Sequence, residues 1–104
     1  MELLQTASAG TMESSDIQIT IEPRKTGGIE VDLTSTVMNQ FGRQILSVIR
    51  ETLTNMGVND AYVQAEDKGA LDCTVEARVK TAVHRAAGNE DYAWRTKECL
   101  KRND

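Results

Sequence analysis

Two adjacent serines, Ser14 and Ser15, flanked by Glu13 and Asp16, are the residues of this 104-residue chain best placed for chemistry. They lie in a short polar stretch, Gly10-Thr11-Met12-Glu13-Ser14-Ser15-Asp16, that runs straight into Ile17-Gln18-Ile19-Thr20-Ile21-Glu22. A hydroxyl at that junction is open to solvent, and the alternating isoleucines behind it anchor a strand. The setting suits a covalent attachment better than a catalytic pocket. A serine hydroxyl is a weak nucleophile and needs a base before it can be substituted. Nothing close to Ser14 in sequence supplies one, so a separate transferase has to make any such bond. Residue chemistry alone leaves a plainer reading open, in which both serines merely end a loose tail and begin a strand.

The remaining candidates are weaker. His84 is the single histidine, and it stands among alanines and arginines near a predicted helix end. The pairs Glu66-Asp67 and Glu90-Asp91 read as solvated charge. No Gly-rich phosphate cradle occurs, and no His, Cys and carboxylate set has metal-ligand spacing. Without a positioned acid, base, nucleophile or metal, the chain is not expected to catalyse by itself. Asp67-Lys68-Gly69 looks like the lysine turn that carries lipoyl or biotinyl groups. Those domains are small all-β barrels, which a long helix does not fit.

The elements that must position the serines follow from periodicity. Residues 1–12 show no clear period and are expected to be mobile, with Leu3 and Leu4 as docking points. Ile17, Ile19 and Ile21 share one face of a strand that ends at Pro23, which lacks a ladder donor. After a turn over 24–28, Ile29, Val31 and Leu33 alternate in a second strand, and the short connection predicts an antiparallel hairpin. Ser35 or Thr34 is placed to cap a helix whose stripe is Val37, Phe41, Ile45, Val48, Ile49, Leu53 and Met56. Gly42 inside it costs about 1 kcal/mol relative to alanine, which predicts close packing over the sheet. Gly57 ends the helix in the left-handed conformation. Residues 58–65 form a third strand, followed by a turn at 67–69.

From residue 70 the pattern fits two structures. Leu71, Cys73, Val75, Ala77 and Val79 alternate as a strand would, whereas Leu71, Val75, Val79, Ala82, Val83 and Ala86 follow a helical stripe. The expectation adopted is a strand to about 80 and a helix over 81–87. Gly88 breaks that helix, and a charged tail follows with Tyr92 and Trp94 as docking or partner-binding residues. The predicted class is therefore α+β: a small two-layer sandwich with an antiparallel sheet of about four strands, a long amphipathic helix on one face and a short C-terminal helix. The expected organisation is a flexible segment over 1–12, a folded domain over 13–88 and a tail over 89–104.

Composition narrows the function classes. A chain of this length makes one small core. The net charge of −4 disfavours nucleic-acid binding. Neither a signal sequence nor a membrane span is apparent, so the cytoplasm is the default. Cys73 reads as a buried small hydrophobe and Cys99 as a free surface thiol, which fits a reducing compartment.

The 10–16 stretch, together with Val37-Met38-Asn39-Gln40-Phe41-Gly42, Asp67-Lys68-Gly69-Ala70-Leu71-Asp72-Cys73 and Ala77-Arg78-Val79, resembles the acyl carrier (gamma) subunit of citrate lyase. The collinear blocks cover roughly residues 5–88. The resemblance implies that Ser14 is the attachment point of a 2'-(5''-phosphoribosyl)-3'-dephospho-coenzyme A arm joined through a phosphodiester. Glu13 and Asp16 are then candidate recognition flanks for the transferase that loads it. Ser15 departs from the small residue, often glycine, usual at that position. The family's arm carries acetyl and citryl thioesters between the alpha and beta subunits of a cytoplasmic complex, where citrate is cleaved to acetate and oxaloacetate with a divalent metal such as magnesium in the lyase subunit. Related malonate decarboxylase carriers use a similar arm. A plain protein-interaction adaptor, without any attached group, is the alternative from another class.

Overall fold

The computed structural model describes residues 2–88. Six elements occur in the order β1 (Ala7–Ala9), β2 (Ile17–Pro23), β3 (Ile29–Ser35), α1 (Met38–Asn55), β4 (Ala61–Asp67) and α2 (Asp72–Ala86). The strands form one sheet in the order β1-β2-β4-β3. Both helices cover one face, which makes the two-layer α+β sandwich expected from the sequence.

The alternating pattern of β2 does what its period predicts. Ile17, Ile19 and Ile21 are fully buried, and Ala61, Val63 and Ala65 of β4 lie beside them on the same face. Each fully buried isoleucine contributes about 1.5–3 kcal/mol of transfer free energy. The other face of the sheet carries Thr20, Glu22, Asp32, Thr34, Gln64 and Glu66 and is left to solvent. Over the buried face, α1 contributes Ile45, Ile49 and Leu53, and α2 contributes Val75, Val79, Ala82, Val83 and Ala86.

Pairing differs from the hairpin expectation. β2 and β3 are not neighbours: β4 lies between them, antiparallel to β2 from Ile17↔Asp67 to Pro23↔Ala61 and parallel to β3 from Ile29↔Ala61 to Ser35↔Asp67. The sheet is therefore mixed. A five-residue connection reaches across one intervening strand, about 10 Å, as easily as it closes a hairpin, so loop length could not separate the two. The helix α1 then serves as the crossover between parallel β3 and β4.

The expected strand over 71–80 is a helix, and α2 runs unbroken from Asp72 to Ala86. Its helical stripe wins because β4 is already paired on both sides and offers no edge, while Val75, Val79, Val83 and Ala86 cover the isoleucines of β2 as one face. Leu71 is 77% exposed and Cys73 only half-buried, contrary to an inward alternation. Cys73 is disulfide-bonded, which corrects its reading as a buried apolar thiol and removes the support that cysteine usage lent to a reducing compartment. Cys99, the Glu90-Asp91 pair and the tail with Tyr92 and Trp94 lie outside the described residues.

Several smaller expectations are also revised. Residues 7–9 of the N-terminal segment join the sheet edge as β1, pairing Ala7↔Ile21, Ser8↔Thr20 and Ala9↔Ile19. Leu3 packs on the core while Leu4 is 66% exposed. The Leu4 and Gln5 amides both donate to the Ala86 carbonyl, at 2.9 and 3.1 Å, satisfying an acceptor that the end of α2 leaves open. The N-cap of α1 is Val37, without a side-chain bond of its own, but the Ser35 hydroxyl does accept from the Val37 amide at 3.0 Å just ahead of the helix. Gly42 does not buy a close approach to the sheet, since a Cβ there would meet the Met38 side chain of its own helix. Phe41 is 52% exposed, so the N-terminal turn of the α1 stripe stands outside the core. Gly57 does end the helix with φ +77°, in the left-handed region.

Candidate functional site

Ser14 is exposed in a turn between β1 and β2. What shapes that turn is a single carboxylate. Asp16 Oδ2 accepts from the Thr11 hydroxyl at 2.6 Å and from the Thr11 amide at 3.2 Å, while Oδ1 accepts from the Ile17 amide at 2.7 Å. The guanidinium of Arg78, from the middle of α2, closes on the same group as a fork, Nε to Oδ1 and Nη2 to Oδ2, both at 3.0 Å. Planar two-point pairing of this kind fixes orientation as well as distance.

Inside the loop, the Asp16 amide donates to the Glu13 carbonyl at 3.1 Å and the Glu13 amide to the Thr11 hydroxyl at 3.2 Å. Burial by itself would raise the Asp16 pKa, but the bonds from Arg78, Thr11 and the Ile17 amide, with the Arg78 charge, outweigh it and hold the carboxyl below the ordinary aspartate value.

Two further constraints bear on the serines. Gly10, at φ +92°, brings its backbone so close to the Ile17 carbonyl that any Cβ would collide with it, and Arg78 Cδ lies just beyond. Ser15 has φ +67°, a conformation that costs an L-residue about 1–2 kcal/mol and costs glycine nothing. That is a physical reason for glycine to be usual there. Ser15 keeps it because its amide donates to the Lys68 carbonyl at 2.8 Å while the Lys68 amide donates to the Asp16 carbonyl at 2.8 Å.

The predicted recognition flanks thus divide. Glu13 is exposed, whereas Asp16 is 13% exposed and spends its carboxylate inside the loop. Lys68, considered as a separate attachment point, is brought beside the serine loop by its backbone. Its turn is built by Asp67, which sequence read as solvated charge and which is 1% exposed. Asp67 accepts from the Ser35 hydroxyl at 2.8 Å, the Gly69 amide at 3.0 Å and the Ala70 amide at 2.9 Å. Past that turn, Val37, Phe41, Ile45, Ala70 and Leu71 border an apolar cleft of about 310 Å³. His84 is half-buried in the last turn of α2.

Sequence reasoning placed Arg78 and Asp67 in family blocks but gave neither a part in the site. The strand assigned over 71–80 hid where Arg78 would lie, on a helix facing the loop.

The chain is 59% identical over 95 residues to the citrate lyase acyl carrier protein of Streptococcus uberis, covering 91% of this chain and 93% of that protein. The corresponding protein of Streptococcus mutans is 57% identical over the same shares. This chain belongs to the citrate lyase acyl carrier protein family. It also matches the family described as malonate decarboxylase delta subunit (MdcD), over residues 4–86. A chain in the crystal structure of a Pseudomonas malonate decarboxylase hetero-tetramer, in complex with malonate, shares the fold with a TM-score of 0.66 at 17% identity, over 83% of this chain and 92% of that one. Membership of these carrier families gives the chain a non-enzymatic role.

Proposed function

We propose that this protein is the acyl carrier subunit of a cytoplasmic citrate lyase complex and that Ser14 anchors its arm, 2'-(5''-phosphoribosyl)-3'-dephospho-coenzyme A. The observation that carries the reading is an exposed hydroxyl on a loop held by the Asp16 hydrogen bonds, in a chain that belongs to a carrier family. When bound, the arm would supply a terminal thiol on which acetyl and citryl groups travel between the alpha and beta subunits as citrate is split into acetate and oxaloacetate.

The residues present fit that group. Ser14 has open space for a phosphodiester, and no side chain of the loop competes for its oxygen among the hydrogen bonds described above. Ser15, by contrast, is held by its amide on the Lys68 carbonyl with its backbone in the left-handed region. The chain's own part in the cycle is to hold the serine oxygen outward, to keep the Asp16 charge paired with Arg78 and to offer a rigid body to its partners. Tethering raises the local concentration of the reacting group at each partner site.

Carrier function requires that intact mass on protein made with its loading transferase show one adenine-containing adduct mapping to Ser14. Ser14→Ala should keep the fold and lose the adduct completely. An adduct that persists on Ser15 would move the anchor by one residue. An unmodified wild-type chain that still assembles with its partners would support an adaptor.

A further inference from the structure

Five donors from three parts of the molecule converge on the Asp16 carboxylate. They are two from Thr11 at the start of the loop, one from Ile17 at the start of β2, and two from Arg78 on α2. Ser14 lies between Thr11 and Asp16, so the carboxylate closes a ring of backbone around it. Two backbone hydrogen bonds with Lys68, one accepted by its carbonyl and one donated by its amide, clamp the far side of that ring to the end of β4. Such a loop does not lend reach to an attached group. It places one oxygen.

We propose that Arg78, 62 residues from Asp16 in sequence, is the positioning residue for the loading of Ser14: through Asp16 it fixes where the serine oxygen is presented to the transferase. The inference rests on the carrier reading above and adds to it a residue and a mechanism. In the loading step the Ser14 oxygen forms a bond to phosphorus of an arm activated as a phosphoanhydride. The phosphoanhydride P–O bond breaks, the departing phosphate group takes its electron pair, and the hydroxyl proton passes to a base on the transferase. Arg78 takes no part in these bond changes.

Arg78 is well placed to be separable from the core. Its side chain is 34% exposed, and the buried face of α2 is carried by Val75, Val79, Ala82, Val83 and Ala86. Removing the fork loosens the loop while leaving that face intact. A lysine keeps the charge but cannot make the two-point contact.

The test uses the full chain, prepared without arm, with purified transferase and activated arm, and varies the carrier concentration. Arg78→Gln should lower kcat/KM for loading about 10- to 100-fold, the size expected when a reacting atom is displaced by about 1 Å. The loss should fall mainly on kcat, since Arg78 is given no contact of its own with the transferase. Arg78→Lys should fall between Arg78→Gln and wild type. Amide exchange should rise at residues 11–17 and stay unchanged in α1 and β4. Thr11→Val removes an exposed hydroxyl that donates to Asp16 and accepts from the Glu13 amide; it should lower kcat several-fold, and it decides the matter if Arg78→Gln fails to fold. Wild-type kcat in Arg78→Gln or in Thr11→Val, or a loss that appears only in KM, overturns the proposal. Wild-type chain that takes no adduct at all under these conditions overturns the carrier reading instead, and the exchange data then still report whether Arg78 holds the loop.

Discussion

Two turns of this molecule are each built around an aspartate, and they are built differently. Asp67 is sealed from water and surrounded by uncharged donors: a serine hydroxyl from β3 and two amides of its own turn. Asp16 is partly open and adds a cation from a helix distant in sequence. The first arrangement joins the ends of β3 and β4 to the start of α2 and is a framework element. The second takes a segment between two strands and adjusts it from outside, through a side chain that the core does not need. One carboxylate is sealed and held by a nearby hydroxyl and amides; the other keeps 13% of its surface in water and is held in part by an arginine far away in sequence.

The largest effect should come from breaking the framework turn. Asp67→Ala leaves the Ser35 hydroxyl and two amides without their acceptor in a sealed site, and each orphaned buried donor costs about 1–3 kcal/mol. We expect a loss of about 3 kcal/mol or more in urea unfolding. A loss below about 1 kcal/mol would remove the distinction between the two turns.

Next comes the pH response of the positioning turn. The Asp16 carboxyl is held below its ordinary value in the folded chain and returns to that value on unfolding. Its contribution is therefore fully present above the ordinary aspartate pKa and is lost as pH falls through the lower folded value. Unfolding midpoints measured from pH 6 downward should fall more steeply for wild type than for Asp16→Asn, in the range below the ordinary value. Parallel curves would mean that the Asp16 charge gains nothing from Arg78 and its neutral donors.

The smallest expected effect is a gain. Ser15→Gly relieves a left-handed backbone but adds freedom to the unfolded chain, and the two terms leave a net stabilisation of about 1 kcal/mol or less. Loss of stability on this change would show that the Ser15 side chain contributes contacts that outweigh its backbone strain.

Much of this protein was legible from local pattern. The isoleucines of β2, the body of α1 from Ile45 to Leu53 and the stop at Gly57 follow from period and from glycine's conformational freedom, which act within a few residues. The exposed serine at the loop was legible for the same reason. Residues 71–80 were not, because alternation and helical spacing coincide over Leu71, Val75 and Val79, and only the absence of a free edge on β4 decides between them. The order of β2, β4 and β3 was hidden because a five-residue loop fits either arrangement. Asp67 was misread because the sequence around it gives no sign that Ser35, 32 residues earlier, will seal it from water.

The chain by itself determined its one-core size, its period-driven elements, its family blocks and the serine that stands open at the start of a strand. The tertiary structure alone decided which strands are neighbours, that 72–86 is a helix, and that Asp16 is not a free acidic flank but the seat of an arginine fork. The division has one physical cause. Backbone preference and burial period are properties of adjacent residues. A carboxylate's partners are set by which elements happen to meet, and here they meet across the whole fold.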